Sequence, residues 1–558
     1  MKRSKNAVVF AALGVLAAAL WAPEPALAQP RSATAQGKPR NKKPKGQSSP
    51  KTPKATKAGG QAAVGGAPNA GAGGGDAKAA GSLEVNLAVQ RVTLENGLRV
   101  VLNVDRSSPT VAVAVTYDVG SRDEAKGRSG FAHLFEHLMF HGTRNLPKGE
   151  IERLVLGRGG FLSAVVYQDY TNYFMALPAN ELALALWSEA DRMRSLVVTA
   201  EAFEAERRVV QEELRLRVSN AAFGLSPIRL EELVYQGFFP YQHPSIGSMD
   251  DLNAASLDEV KSFYDRHYGP NTAVLSISGD IEADEAMDLV HRYFDRVPRI
   301  EAAPPTALEL PEQTNQRTAV LKDEHAATPG VLYGWAAPPA SHADRYALEL
   351  AAILLGEGQS SKLHDGLVRA KPLARSASAS LDVRRGPSLF AIDVKLSEGA
   401  RMGDVEKFIE AEIKALGARG PTEAELQKAR RMAQARFVLG LQWNRDRAIA
   451  LGKAELFHGD ARRINTELAR YSAVTKEDIA AAVTKHLAPT RRTIVETYPA
   501  ATPEGSTKSG ATAGAPAAAR AEQPAASPTS KAKKTGAKKA DPKKKKTPGA
   551  AKPKKKKP

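Results

Sequence analysis

Between residues 83 and 500 the same order of strand-like and helix-like runs occurs twice, and this repetition limits the possible folds more than any other feature. The first copy opens with a hairpin pattern around an Asn-Gly turn at 92–101, followed by a strand pattern at 111–119. The second copy has strand patterns at 318–321 and 330–335 and then a helix pattern at 344–355. Longer helical patterns follow in both copies, at 181–197, 202–218, 402–416 and 422–442. We therefore predict an α+β chain of two homologous half-domains, each a mostly antiparallel sheet with helices packed on one face.

Composition separates a folded body from two flanks. Residues 29–82 hold ten basic residues and one acidic residue, and residues 501–558 hold sixteen basic and three acidic ones. Both flanks consist mainly of small residues, proline and lysine, so they cannot bury enough apolar surface to offset the entropy of ordering. We predict that both flanks are disordered. Within the folded body we predict a first half at 83–305 and a second half at 306–500, connected by a Pro- and Ala-rich linker at 297–313.

The formal charge of +18 belongs to the ends of the chain and not to the body. Residues 1–28 contribute +2, 29–82 contribute +9 and 501–558 contribute +13, which leaves the body near −6. Lysine clusters at 543–546 and 554–557 predict attraction to a polyanion. An anionic envelope surface, a cell-wall polymer and a nucleic acid would all satisfy that prediction.

The first 28 residues have the pattern of a secretory signal. Basic residues at the start precede an apolar run at 7–21 and the small-residue sequence Ala26-Leu27-Ala28. This predicts export across the inner membrane and a periplasmic location. A membrane anchor is the alternative, but the run is shorter than the roughly 20 residues that span a bilayer, and we predict no transmembrane segment in the mature chain. The absence of cysteine excludes disulfides and leaves His, Asp and Glu as the strong metal ligands.

A five-residue segment contains two histidines and a glutamate within one helical turn. His133 and His137 are four residues apart and share a helix face, so they can hold one metal ion, with Glu136 beside its open side. The alternative interpretation is a charged helix with two incidental histidines. A catalytic zinc site needs a third protein ligand and leaves a fourth position for water. In the second copy the corresponding positions hold Glu349, Ala352 and Ile353, which do not match the motif. We therefore predict one Zn²⁺ and one catalytic centre per chain.

The segment 206–213 reads Glu-Arg-x-x-Val-x-x-Glu, and with the His-x-x-Glu-His motif it resembles the pitrilysin-type (inverzincin) zinc peptidases. Within that family the resemblance is closest to the bacterial subunits related to mitochondrial processing peptidase. It implies that Glu213, 76 positions after His137, completes the zinc site and that Glu206 supports the ligands from behind. Glu212 points about 100° away on a helix and is assigned to the surface. His141 has no ligand role in the family.

Residues 159–164 and 169–173 resemble the edge strand on which this family binds its substrate. The resemblance implies that Ser163 and Ala164 bind an extended peptide as an added strand, through backbone hydrogen bonds. The family usually has asparagine at the position of Ser163. His243 matches a family position as well, but a structural loop histidine is the favoured interpretation.

The resemblance implies a zinc-dependent endopeptidase that cleaves extended peptides or small unfolded proteins, with Glu136 as the base. The family also uses an Arg/Tyr pair, seven residues apart, to bind the substrate carbonyl and oxyanion, but Val368 and Arg375 stand at those positions. We therefore predict a non-identical partner subunit of the same family that supplies the pair, although Arg369 or Arg375 could substitute in part. The alternatives are a catalytically silent scaffold subunit and a basic-tailed binding protein acting on a polyanionic surface.

Overall fold

The computed structural model of the protein describes residues 83–500. The predicted export signal at 1–28, the basic linker at 29–82 and the Lys-rich tail at 501–558 lie outside the described residues. Among the helices of residues 83–500, none combines the length and the apolar character that crossing a bilayer requires.

Two sheets organise the body. The strands of the first sheet, in chain order, are β1 (Val89–Thr93), β2 (Arg99–Val104), β3 (Thr110–Tyr117), β4 (Phe161–Val166), β5 (Thr171–Pro178) and β6 (Ala273–Gly279). Those of the second sheet are β7 (Arg317–Asp323), β8 (Gly330–Ala337), β9 (Ala374–Asp382), β10 (Ser388–Leu396) and β11 (Thr493–Pro499). The spatial order is β1-β2-β6-β3-β5-β4 in the first sheet and β7-β11-β8-β10-β9 in the second.

The two sheets repeat one topology. The only parallel pairs among the described strands are β2 with β6 and β7 with β11, and these pairs occupy corresponding positions in the two sheets. Strand β1 has no counterpart in the second sheet. The predicted fold class is confirmed: two homologous halves with mostly antiparallel sheets.

Fifteen α-helices connect and cover the strands within residues 83–500. They are α1 (Phe131–Leu138), α2 (Glu150–Leu156), α3 (Leu182–Ser195), α4 (Ala200–Leu214), α5 (Leu225–Val234), α6 (Phe239–Gln242), α7 (Met249–Ala254), α8 (Leu257–His267), α9 (Ala283–Phe294), α10 (Asp344–Gly356), α11 (Met402–Arg419), α12 (Glu423–Leu439), α13 (Asn444–His458), α14 (Glu467–Ala473) and α15 (Lys476–His486). Two π-helical segments, Arg215–Ser219 and His364–Ala370, are also present.

The halves exchange one helix each. Helix α13, from the second half, packs against β3, β5 and β6 of the first sheet, with Ala448 buried among Ala112, Ala114 and Phe174. Helix α5, from the first half, packs against β8 and β11 of the second sheet. Each sheet is therefore covered on its second face by the opposite half, an arrangement that the helical periodicity of the sequence did not reveal.

The predicted linker does not run free between the halves. Residues 301–316 form no helix or strand apart from the bend before β7, but Leu308 and Leu310 pack against the apolar cluster formed by α5 and the second sheet. The hydroxyl of Thr306 also donates to Asp123 at 2.8 Å. These contacts hold the connection to both halves.

Candidate metal centre

Helix α1, which carries the two histidines, is capped by a side chain from outside the helix. The N-cap residue before it, Gly130, has a φ of +94° and offers no side-chain acceptor. The carboxylate of Glu124, which is completely buried, accepts the backbone N–H groups of Gly130 at 2.9 Å and Ala132 at 2.8 Å. An acceptor at a helix N-terminus satisfies otherwise unpaired N–H groups, so Glu124 fixes the start of α1.

Helix α4 brings the carboxylates to the histidines. Its N-cap is Thr199, whose side chain accepts the N–H of Ala202, and the helix packs against α1. Glu206 and Glu213 are seven residues apart and so lie on the same face of α4. Both face the imidazoles of α1, whereas Glu212 is exposed and pairs with Arg215.

Three ligand atoms converge between α1 and α4. The distance from His133 Nε2 to Glu213 Oε1 is 3.6 Å, and that from His137 Nε2 to Glu213 Oε2 is 3.5 Å. The ligand atoms of His133, His137 and Glu213 all lie within 4.8 Å of one another. Tetrahedral bonds of about 2.0–2.1 Å place ligand atoms roughly 3.3 Å apart, and two imidazoles with one carboxylate are a common catalytic zinc set. The residues present therefore fit a zinc ion.

The environment favours the ligating form of His133. Burial, followed by the nearby His137, lowers the pKa of His133 to about 3, so its ring is neutral near pH 7. Burial opposes protonation of His137, but hydrogen bonds to Glu206 and Glu213 outweigh it and raise the pKa of His137 to about 9. A metal ion would have to displace that proton, since histidine ligates in its neutral form.

Glu206 lies behind His137 and has partners that the sequence did not reveal. Its Oε2 is 3.2 Å from His137 Nδ1, which orients the ring so that Nε2 faces Glu213. Its Oε1 is 2.5 Å from His141 Nε2, and Lys148 Nζ lies 2.8 Å from that nitrogen. His141 is thus a contact of Glu206 and not a member of the three-residue ligand group. Its position four residues after His137 was the available signal, because it puts both rings on one face of the chain.

Arg217 is a second contact that sequence reasoning missed. It lies in the π-helical segment after α4, and its guanidinium pairs with Glu213 Oε1. Burial raises the pKa of Glu213, but the hydrogen bond with His137 and the positive charge of Arg217 outweigh this and lower it overall.

Glu136 points from α1 toward the edge of the first sheet. Burial raises its pKa to about 7, although the nearby His137 and the backbone N–H of Val166 oppose the rise. A carboxyl group with a pKa near neutrality can both accept and return a proton. Val166 ends β4, which pairs with β5 and with no other described strand.

The hydrogen bond in the hairpin turn shows which backbone groups of β4 face β5 and which face the open edge of the sheet. The N–H of Tyr167 donates to the carbonyl of Tyr170 inside the hairpin. Because backbone groups alternate sides along a strand, Ser163 faces β5 and Ala164 faces the open edge, in line with Val166. The structure thus leaves the backbone N–H and C=O groups of Ala164 at the open edge of the sheet. The side chain of Ala164 is buried under α1 and that of Ser163 is half-buried on the other face.

The second half has an ion pair where the first half has its ligand group. Glu349 on α10 corresponds to His133, and Arg436 lies 13 residues after the start of α12, as Glu213 does after the start of α4. The two side chains approach to 3.8 Å, and Arg345 donates to Glu349 at 2.9 Å. A carboxylate occupied by two guanidinium groups is a poor metal ligand.

The residues at the expected Arg/Tyr positions, Val368 and Arg375, do not form a pair. Val368 lies in the π-helical segment and packs on the core of the second half, whereas Arg375 is an exposed residue of β9. Arg369 is exposed and pairs with Asp365. His243 is also separate from the ligand group: it is buried, 3.8 Å from Glu124, and neither ring nitrogen has a hydrogen-bond partner within residues 83–500.

Comparison with known proteins identifies the family. Zinc protease PqqE of Helicobacter pylori is 33% identical over 360 residues, which cover 64% of this chain and 81% of that protein. The chain belongs to peptidase family M16. Residues 99–234 match the description "Insulinase (Peptidase family M16)", and residues 254–433 match "Peptidase M16 inactive domain". An uncharacterized zinc protease of Mycobacterium leprae is 29% identical over 407 residues, covering 73% of this chain and 91% of that protein.

Solved M16 structures have the same fold. The crystal structure of a protease from Helicobacter pylori matches with a TM-score of 0.71 and 31% identity, over 74% of this chain and 100% of that one. The first half of the periplasmic protease PqqL from Escherichia coli matches with a TM-score of 0.61 over 75% of this chain and 93% of that one. At 18% identity this second likeness concerns the M16 fold alone.

Proposed function

We propose that the protein is a zinc-dependent endopeptidase that cleaves extended peptides or small unfolded proteins. The observation that carries the proposal is the convergence of His133, His137 and Glu213 beside an open edge strand, with Glu136 between them. The related zinc proteases support the same reaction class.

His133, His137 and Glu213 would hold one zinc ion. When bound, zinc supplies Lewis-acid chemistry: it polarises the scissile carbonyl and makes a water molecule acidic near neutral pH. Glu136 takes the proton of the attacking water on its carboxylate and delivers it to the leaving amine. Glu206 holds His137 by its Nδ1, and the edge of β4 at Ala164 aligns the peptide as an added strand.

We further propose that a non-identical M16 subunit completes the site with an Arg/Tyr pair. The support is that Val368 is a half-buried apolar residue and Arg375 an exposed one, so that the two positions do not form an oxyanion-binding pair. Removal of one oxyanion donor typically costs about 10²–10³ in rate, so the chain alone should be slow.

Export and tail binding complete the proposal. The signal-like residues 1–28 support a periplasmic location, and the lysine clusters at 543–546 and 554–557 support contact with an anionic surface or polymer. Deleting residues 501–558 should abolish such binding and leave peptide hydrolysis unchanged.

The test is hydrolysis of an unfolded protein by the purified chain, with and without its candidate partner subunit, before and after treatment with a chelator. We expect weak activity that the partner increases and the chelator abolishes. Zinc-bound protein without activity in either setting would favour a silent scaffold subunit. Full activity as a monomer or homodimer would exclude the partner, and polyanion binding without any hydrolysis would favour the binding-protein alternative.

A further inference from the structure

Residues 120–124, here called the brace, connect the β4–β5 hairpin to the helix of the metal centre. The backbone N–H of Ser121 donates to the carbonyl of Tyr167 at 3.2 Å, and that of Arg122 donates to the carbonyl of Gln168 at 3.0 Å. Both acceptors lie in the turn that directly follows β4. The brace therefore contacts the tip of the hairpin through two backbone hydrogen bonds.

One end of the brace packs against the hairpin turn, and the other end caps α1. A Cβ atom on Gly120 would lie 2.3 Å from two carbonyl oxygens of the turn, so no larger residue fits that close approach. At the other end, Glu124 caps α1 through the N–H groups of Gly130 and Ala132. One short segment thus sets the positions of the hairpin and of the helix that carries Glu136.

Asp169, in the turn of the hairpin, joins the brace to the second half. Its side chain is 3% exposed, and three donors from three parts of the chain share its oxygens. Arg122 donates from the brace at 2.9 Å, the hydroxyl of Tyr241 on α6 donates at 2.6 Å, and the backbone N–H of Arg385 donates at 2.8 Å. Arg385 lies between β9 and β10, so the hairpin is tied across the boundary between halves.

Further ion pairs restrict this network to one arrangement. The guanidinium of Arg122 also pairs with Asp118 at 2.5 Å and with Asp123 at 3.3 Å, and Arg385 binds the same Asp118 at 2.5 Å. Breaking a buried charge pair leaves the remaining charge without a partner and is strongly destabilising. A displacement of the hairpin would therefore break contacts of Asp169 with Arg122, Tyr241 and Arg385.

We propose that Asp169 and Arg122 are positioning residues that hold β4 in register with Glu136, so that a bound peptide presents its carbonyl to the metal centre. This inference rests on the proposed peptidase function. Helix α1, which carries Glu136, packs directly against β4, and this packing is the geometry that the network protects. A displacement of about 1 Å at a reacting group can cost about 10²-fold in rate.

The test compares Asp169→Asn with wild type in the full mature chain. Zinc content, hydrolysis of a ten-residue quenched fluorescent peptide, and amide hydrogen exchange are measured on each. We expect unchanged zinc content, a kcat lower by about 10–100-fold and a nearly constant KM, because the peptide still binds but is misaligned. Exchange should accelerate in residues 161–168 and stay constant in residues 131–138. Tyr241→Phe, which removes one hydrogen bond to Asp169, should give a smaller effect in the same direction.

Asp295→Asn is the matched control, because Asp295 is exposed and pairs only with His291 in the described part of the chain. It should behave as wild type. Unchanged kinetics and exchange in a folded Asp169→Asn protein would overturn the proposal, as would zinc loss together with faster exchange throughout α1. If Asp169→Asn does not fold, Tyr241→Phe decides by the same measurements. If the wild type hydrolyses no peptide, the peptidase proposal fails. The hydrogen-exchange data alone then test whether Asp169 holds the position of β4.

Discussion

Four glutamates around α1 show how the environment of a residue decides its role. Glu124 accepts two backbone N–H groups, and Glu206 is shared by His137 and His141. Glu213 faces the Nε2 atoms of both histidines of the motif, while Glu136 is a buried residue of α1, which packs against β4. The glutamate side chain thus caps a helix at Glu124 and orients a histidine at Glu206, and it is the proposed ligand at Glu213 and the proposed base at Glu136, according to the groups beside it.

The first prediction separates the base from the ligand. Glu136→Gln should keep its zinc and lose at least about 10²-fold in kcat, because an amide cannot accept the water proton. Glu213→Gln should instead weaken zinc binding, since it replaces a charged ligand by a neutral one. Zinc content after dialysis and peptide hydrolysis check both variants, with Glu212→Gln as the exposed neighbour that should change neither. Equal zinc loss in the first two variants would contradict the assignment.

A second prediction concerns the ion pair of the second half. Glu349→Ala should lower the free energy of unfolding by about 3 kcal/mol, because it leaves Arg345 and the hydroxyl of Tyr471 without this acceptor. Glu357→Ala, which removes a more exposed partner of Arg436, should cost less than about 1 kcal/mol. Urea unfolding measures both variants. A change in zinc affinity in either one would show that the second half reaches the metal centre.

At the scale of elements, β4 is the strand that combines an open edge with direct packing against α1, the helix that carries the two histidines. Alternate side chains of β4 point to opposite faces of the sheet: Ala164 packs on the core under α1, while Val165 packs toward α13. The strand is therefore fixed from both faces and free at one edge. A peptide added there would extend the sheet without any rearrangement of the strand.

The third prediction uses this alternation. Ala164→Pro removes an N–H that faces the open edge, so it should lower kcat/KM by about 10-fold or more while the sheet stays paired. Ser163→Pro removes an N–H that faces β5, so it should lower the melting temperature more than Ala164→Pro does. Thermal unfolding and peptide hydrolysis distinguish the two variants. A larger loss of stability in Ala164→Pro would mean that the alternation is reversed.

At the scale of the whole molecule, the exchange of α5 and α13 joins the halves into one folding unit. Without α13, the first sheet would expose Ala112, Ala114 and Phe174 to water. Without α5, the second sheet would expose Leu332, Leu389 and Val495. Burial of such apolar surface is the main favourable term in folding, so each half depends on the other.

The fourth prediction follows from this dependence. Residues 83–305 and 306–500, produced separately, should each aggregate or remain partly unfolded, because each lacks the helix that covers its sheet. Mixed during refolding, the two fragments should recover native circular dichroism and zinc binding, as the intact 83–500 body should do alone. A cooperative unfolding transition in either isolated half would contradict this expectation.

Sequence alone determined the fold class, the boundaries of most long elements and the family, because these depend on local periodicity and on short motifs. The helix predicted at 344–355 is observed at Asp344–Gly356, and the one predicted from 402 begins at Met402. The histidine pair on one helix face is likewise a consequence of helix geometry.

Tertiary structure decided what depends on packing between distant segments. The exchanged helices carry no local signal, since the sheet that each helix covers is chosen by the fold. The same holds for the links from Asp169 to Arg122, Tyr241 and Arg385, which join residues up to 216 positions apart. Periodicity fixes which face of an element is apolar, but only the assembled core fixes which element covers that face.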